Sequence, residues 1–183
     1  RKAMEKAQNA RRFEHTLGVE YTAAALAMRY DCDVKSAQIA GLLHDCAKCL
    51  SDEKRLSICE KNHIPMTELE RRNPFLLHAK AGAYLAEKKY GVSNPDILNA
   101  IRSHTTGRQG MSTLEKIVFI ADYIEPGRKH APNLKQVRKL AFTDLDEALV
   151  KILGDTLHYL KETGGDIDPM TEETRNYYSE RKQ

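Results

Sequence analysis

The chain has 183 residues, enough for one substantial core, and its 41% hydrophobic and 30% charged residues are those of an ordinary globular protein. Formal net charge is only +3, so no global field points to nucleic acid or to an anionic membrane. No apolar run approaches the ~18 residues that a membrane span needs, and no stretch reads as a signal peptide.

The chain opens on Arg1 rather than Met, so residues are expected before it. Hydrophobic periodicity is helical almost throughout. From about residue 3 to Tyr30, the stripe Phe13, Leu17, Tyr21, Ala24 and Met28 predicts one amphipathic helix. Asp33 is the expected cap of a second helix, running through Ile39, Leu42 and Leu43 to about Cys49. Ser51 opens a short helix to about Lys61, Pro65 breaks the chain, and 67–72 forms a helical turn. Another helix runs from Phe75 to Tyr90, stopped by Gly91. Ser93-Asn94-Pro95 starts the next, to about Thr105. After a loop at 107–110, Ser112-x-x-Glu115 is a capping box for a helix ending before Pro126. A second loop spans 127–132. Asn133 then caps a short helix to Phe142, and Thr143 opens a longer one to Glu162, closed by Gly164-Gly165. Thr171 caps a last polar helix. No segment alternates as a strand, and no repeat, low-complexity tract or linker interrupts the chain. The expected fold is all-α, a single-domain multi-helix bundle over 1–183.

All four cysteines, Cys32, Cys46, Cys49 and Cys59, lie in the first third of the chain and are read as free thiols of a reducing cytoplasm. Cys46-x-x-Cys49 has zinc or redox spacing, but no second pair follows and the pair falls in a helical pattern.

The stretch Gly41-Leu-Leu-His44-Asp45-Cys-Ala-Lys48 carries the strongest chemical signal. An adjacent His-Asp pair on a buried helix leaves neighbouring positions about 100° apart. A carboxylate is costly to bury unless something positive neutralises it, and a divalent cation does so well. Of seven histidines, His15, His44, His78 and His104 fall inside apolar helix patterns, and Asp122 sits in the apolar run Ile117-Val-Phe-Ile-Ala-Asp122-Tyr. Taken singly, each reads as a satisfied core residue. Together, imidazoles and carboxylates suit iron, manganese, zinc and similar ions. His63, His130 and His158 read as surface or structural residues.

Three cations flank these positions. Arg12, three residues before His15, shares its helix face; Lys48 follows Asp45 by three; Arg128 follows Pro126-Gly127. They are candidates to grip phosphate oxygens. Gly41, four before Asp45, permits close approach of a helix or ligand. Thr105, Thr106 and the polar 165–171 segment are loop-like and suited to close over a nucleoside. Tyr123 reads equally as a base-stacking or a core residue. The pairs Arg71-Arg72, Lys88-Lys89 and Arg138-Lys139 read as solvated helix faces.

The order His15, His44-Asp45, Asp122 resembles the defining pattern of the HD phosphohydrolase superfamily. The flanking words sharpen this: Arg12-Phe-Glu-His15-Thr-Leu-Gly-Val, Ala40-Gly-Leu-Leu-His44-Asp45-Cys-Ala-Lys48, Ile101-Arg-Ser-His104-Thr-Thr-Gly and Ile120-Ala-Asp122-Tyr-Ile-Glu-Pro-Gly-Arg128. They are similar to the YqeK-type family of bacterial HD proteins, which hydrolyse symmetrical dinucleoside tetraphosphates. The likeness covers nearly the whole chain and includes Ile167-Asp-Pro-Met-Thr171. It implies an HD core at about 10–130, with C-terminal helices at 133–183 completing the bundle and a nucleotide pocket. It implies that His15, His44, Asp45 and Asp122 bind a metal, iron above others, with manganese as an alternative. His78 and His104 match the extra histidines of members that hold two ions, in which case Asp45 bridges; with one ion they become phosphate contacts. Spacing alone does not show this convergence.

The implied reaction is hydrolysis of diadenosine tetraphosphate to two ADP by metal-activated water. Asp45 and Lys48 take the catalytic roles. Arg12, Lys48, His78, His104, Thr105, Thr106, Tyr123, Arg128, Ile167, Asp168 and Thr171 are the expected substrate contacts. The expected setting is cytoplasmic, without nucleic acid or membrane, and a homodimer stays open. The alternatives are a nucleotidase for another nucleotide, a di-iron oxygenase, and a non-enzymatic nucleotide-binding module.

Overall fold

The computed structural model describes residues 1–181. The described residues form α1 (Lys2–Ala7), α2 (Ala10–Arg29), α3 (Val34–Leu43), α4 (Asp52–Lys61), α5 (Glu68–Arg72), a 3-10 turn (Pro74–Leu77), α6 (His78–Lys88), α7 (Pro95–Ser103), α8 (Thr113–Ile124), α9 (Leu134–Leu140), α10 (Leu145–Thr163) and α11 (Pro169–Glu180). No strand occurs among them, so the all-α expectation holds.

The expected first helix is two helices. The chain breaks at 8–9, where the Asn9 side chain accepts a hydrogen bond from the Arg12 amide and caps α2. The expected stripe is also displaced. Tyr21 is 54% and Met28 69% exposed, whereas Thr16, Val19, Ala23, Leu26 and Ala27 are buried. The reason is the neighbour. α2 packs along α3 so closely that a Cβ on Gly41 would lie 3.0 Å from the Glu20 Cα. Small residues line that contact because large ones do not fit it.

Asp33, Ser51, Asn94 and Ser112 cap their helices as expected, and Thr67 caps α5, with full capping boxes at Thr67 and Ser112. Three C-terminal assignments differ. Asn133 precedes α9 in a left-handed conformation without capping it, and its amide donates to the Asp155 carboxylate instead. Asp144, not Thr143, caps α10. Asp168, not Thr171, caps α11, because Pro169 already occupies the first helical position.

The core lies where α8 meets α2, α3, α7 and α10, around Leu26, Ile101, Leu114, Ile117, Ile120, Leu149 and Ile152. A smaller cluster of Ala47, Cys59, Leu77 and Ala81 sits beneath α4 and the 3-10 turn. α11 packs on α10. No helix among the described residues is long and apolar enough to cross a membrane.

Candidate metal centre

The expected helix through Cys49 stops at Leu43, so His44 is its C-cap and Asp45 lies beyond it. From there 44–50 runs as tight turns, with amides bonding three residues back: Cys46 to Leu43, Lys48 to Asp45 and Leu50 to Ala47. The carbonyls of Ala47 and Lys48 accept from the buried Arg55 guanidinium, at 3.4 and 3.0 Å. Gln8, at the α1–α2 break, donates to the Asp45 carbonyl. The His-Asp pair therefore sits on a braced turn.

The other histidines also occupy element ends. His104 is the C-cap of α7 and His78 the first residue of α6. His44, His78 and His104 share one local device: each Nδ1 donates to the carbonyl three residues back, on Gly41 (2.6 Å), Phe75 (2.7 Å) and Ile101 (2.7 Å). The Gly41 and Ile101 carbonyls lie in the last turn of a helix, where amide partners run out; the Phe75 carbonyl accepts from the His78 amide as well. His15, within α2, donates from Nδ1 to Glu125 Oε1 at 3.2 Å. A carbonyl or carboxylate only accepts, so all four Nδ1 atoms carry the proton. All four Nε2 atoms then present lone pairs, the form in which imidazole ligates metal.

These lone pairs converge on the two carboxylates. His15 Nε2 is 3.1 Å and His44 Nε2 3.9 Å from Asp122 Oδ1. Asp45 lies between two halves: Oδ2 is 3.6 Å from His44 Nε2, while Oδ1 is 3.4 Å from His78 Nε2 and 3.5 Å from His104 Nε2. His78 Nε2 and His104 Nε2 face each other at 3.3 Å. Two lone pairs at that distance repel unless a cation or an added proton lies between them. His15 Nε2, His44 Nε2 and Asp45 Oδ1 are buried and make no hydrogen bond; the short His15–Asp122 approach is misaligned for one. Buried polar atoms are normally satisfied, so this arrangement fits a cation. Two ligand groups meet the spacing, His15-His44-Asp122 and His44-Asp45-His104, sharing His44. The donor set suits a divalent metal.

The charges agree. Burial raises the Asp45 carboxyl, but His44, His104 and Lys48 outweigh it and hold it well below the ordinary carboxylate range. Asp122 is held low likewise, with His15 and His44 outweighing burial. Burial lowers His44, and burial with the charges of His104 and Lys48 lowers His78 to about 3, so neither ring charges readily. Burial also lowers His15, but Asp122 and Glu125 outweigh it and leave it raised.

The three flanking cations stand at the cluster. Arg12 Nη1 is 2.8 Å from Asp45 Oδ2, and Lys48 Nζ donates to His78 Nε2 at 3.0 Å. Burial lowers the Lys48 ammonium despite Asp45 and Asp122. Arg128, read from sequence as a loop residue free to anchor substrate, is paired with Asp122, at 3.0 Å to Oδ1 and 2.7 Å to the carbonyl.

The remaining candidates divide. Thr105 and Thr106 are half-buried just after His104. Tyr123 packs against the core and its hydroxyl donates to the Pro132 carbonyl. Asp168 and Thr171 serve the start of α11, and Ile167 precedes them half-buried. Arg138 is no solvated residue: it caps the end of α8 through the carbonyls of Ile124, Glu125 and Arg128.

Sequence reasoning missed Glu125. This buried acid orients His15, and its Oε2 accepts from the Gly127 amide at 2.5 Å. A Cβ at Gly18 would lie 2.5 Å from Oε2 and one at Gly127 2.9 Å, so both glycines make room for the carboxylate. The available signal was an acid three residues after Asp122, at the end of an apolar helix and before Pro-Gly.

The HD domain family profile matches residues 12–127. The chain is 44% identical over 166 residues to the symmetrical bis(5'-nucleosyl)-tetraphosphatase of Bacillus subtilis, covering 91% of this chain and 88% of that one. It is 40% identical over 165 residues to the protein of the same name in Halalkalibacterium halodurans, covering 90% and 87%. A crystal structure described as a predicted HD superfamily hydrolase involved in NAD metabolism, from Clostridium acetobutylicum, superimposes with a TM-score of 0.95 at 43% identity, covering 98% of this chain and 95% of that one. The chain belongs to the HD domain family and, within it, to the YqeK-type group that includes these tetraphosphatases.

Proposed function

We propose that this protein is a metal-dependent hydrolase that cleaves dinucleoside tetraphosphates symmetrically, diadenosine tetraphosphate above others, to two nucleoside diphosphates. The observation that carries the reading is the pair of ligand groups sharing His44, with Asp45 between them and three cations at their margin. His15, His44 and Asp122 would hold one divalent ion; Asp45, His78 and His104 would hold a second, with Asp45 bridging. We take the ion to be iron, with manganese as the alternative. When bound, such an ion supplies a water that ionises near neutral pH and a Lewis acid for a phosphoryl oxygen.

The chain's own residues do the rest. The Nδ1 hydrogen bonds hold four imidazoles in the ligating tautomer. Arg12, Lys48 and Arg128, drawn from their present partners by a more highly charged anion, hold phosphate oxygens and stabilise the charge that gathers on phosphorus. Lys48 lies nearest the paired histidines and is assigned to the reacting phosphate. The half that does not react is held further out, where Thr105, Thr106 and the 165–171 segment form the nucleotide pocket and the C-terminal helices complete the domain. Free Cys32, Cys46, Cys49 and Cys59 suit a reducing cytoplasm.

The test is anaerobic purification with metal analysis, followed by product identification after incubation with diadenosine tetraphosphate. ADP alone supports the proposal. ATP plus AMP indicates asymmetric cleavage and overturns it. Turnover that requires oxygen places the protein among the oxygenases instead.

A further inference from the structure

We infer that Phe75 is the platform on which the base of a bound nucleotide stacks, which makes it a specificity-determining residue; this rests on the nucleotide-hydrolase reading above. Phe75 is 51% exposed, although the next residues, Leu76 to Ala79, turn inward and Leu77 is fully buried. Among the large hydrophobics exposed in the described residues, Phe75 is the one whose ring meets the histidine cluster, 5.5 Å from the His78 ring. Tyr123, the aromatic suggested by sequence, is engaged with the core and with Pro132.

Three features suit Phe75 to the task. Its position is fixed, because Arg55 donates to the Pro74 carbonyl and the Phe75 carbonyl accepts from His78 Nδ1. One residue therefore orients a candidate ligand through its backbone and offers a ring through its side chain, so the spacing from cluster to ring is built in. Lys48 Nζ lies 4.1 Å from the ring centroid and also donates to His78. A phosphate drawn to Lys48 is thus beside an aromatic surface, in the order phosphate then base that a nucleotide presents. Asn73, two residues before Phe75, donates to Asp166 Oδ2 at 2.8 Å and brings the 164–168 segment alongside the turn. Every base has a π face, so such a platform separates nucleotides from bare polyphosphates rather than one base from another.

The chain contains no tryptophan, so Phe75→Trp introduces a single fluorescent reporter that keeps the aromatic surface. In the metal-loaded protein, ADP should quench it saturably and inorganic tripolyphosphate should not. Met28→Trp, on the exposed face of α2, should respond to neither. In calorimetric titrations, Phe75→Leu should bind ADP about tenfold more weakly than wild type, with tripolyphosphate binding and metal content unchanged. Equal responses to ADP and tripolyphosphate, no response to either, or wild-type ADP affinity in Phe75→Leu overturns the platform. So does a Phe75→Leu protein that loses its metal, since Phe75 then acts only through His78. These binding contrasts stand whether or not the dinucleotide is cleaved, so failure to release ADP from it refutes the proposed reaction without deciding the platform.

Discussion

Glu125→Gln tests whether the cluster is organised by the hydrogen bonds behind it. The substitution changes almost no volume. Glu125 uses one oxygen for His15 Nδ1 and the other for the Gly127 amide, whereas glutamine has one oxygen and an NH₂. If the oxygen stays on Gly127, the NH₂ faces a nitrogen that also donates. His15 must then shift its proton to Nε2, and a protonated Nε2 cannot ligate a cation. A hydrogen bond to a charged group contributes about 1.5–3 kcal/mol, which corresponds to roughly ten- to a hundredfold in affinity. That agrees with the usual loss, about ten- to a hundredfold, when a group orienting a metal ligand is removed. The assay is competition for Mn²⁺ against a chromophoric chelator, wild type beside variant, with thermal melting of the metal-free proteins as a control on folding. Metal affinity within twofold of wild type would refute the reasoning.

Asp45→Ala should lose metal and turnover together, because both halves of the cluster meet at that carboxylate; retention of both places the site elsewhere. His78→Ala or His104→Ala should lower metal stoichiometry from two towards one and slow hydrolysis; unchanged stoichiometry with weaker substrate binding makes them phosphate contacts. Lys48→Met should lower kcat by about ten- to a hundredfold with metal content retained, as checked by steady-state hydrolysis beside metal analysis; wild-type turnover removes Lys48 from the reaction. Gly41→Ala pushes a methyl group against the Glu20 backbone and should cost about 1–3 kcal/mol, a fall in Tm of about 2–12 °C; an unchanged melting curve shows that the two helices can part freely.

Element type and most helix starts were legible because capping is local. Asp33, Ser51, Asn94 and Ser112 each need only a side-chain oxygen and an amide two or three residues on. The buried face of α2 was not legible. It is decided by α3: Gly41 lets the helices approach at the Val19–Glu20 backbone, which buries the face with Val19, Ala23 and Ala27 rather than the larger Tyr21 and Met28. The candidate ligand residues were legible through family likeness. Their roles depend on long-range contacts that spacing does not encode, such as Glu125 reaching His15 across 110 positions. The ion pairs of Arg12 and Arg128 were hidden for the same reason: a cation near a candidate ligand in sequence can face substrate or a carboxylate of the cluster, and only the fold decides.

Those pairs give the centre its logic. Asp45, Asp122 and Glu125 bring three negative charges, and Arg12, Lys48 and Arg128 bring three positive ones, while buried His44 and His78 stay neutral. Without an ion these acids and bases offset one another, which makes the burial of Asp45 and Glu125 tolerable. A divalent ion held by the Nε2 lone pairs would tip the balance to positive and would engage the carboxylates. The arginines and Lys48 would then have donors to spare, facing a site that would attract anions. A tetraphosphate bridge carries an ionised oxygen on every phosphate and presents the charge that the loaded site lacks. Metal and substrate should therefore bind with positive coupling, and coupling is reciprocal: a non-hydrolysed polyphosphate should tighten Mn²⁺ binding as strongly as Mn²⁺ tightens the polyphosphate. Independent binding of the two, measured by titration in either order, would show that the cations stay locked on their carboxylates and take no part in holding substrate.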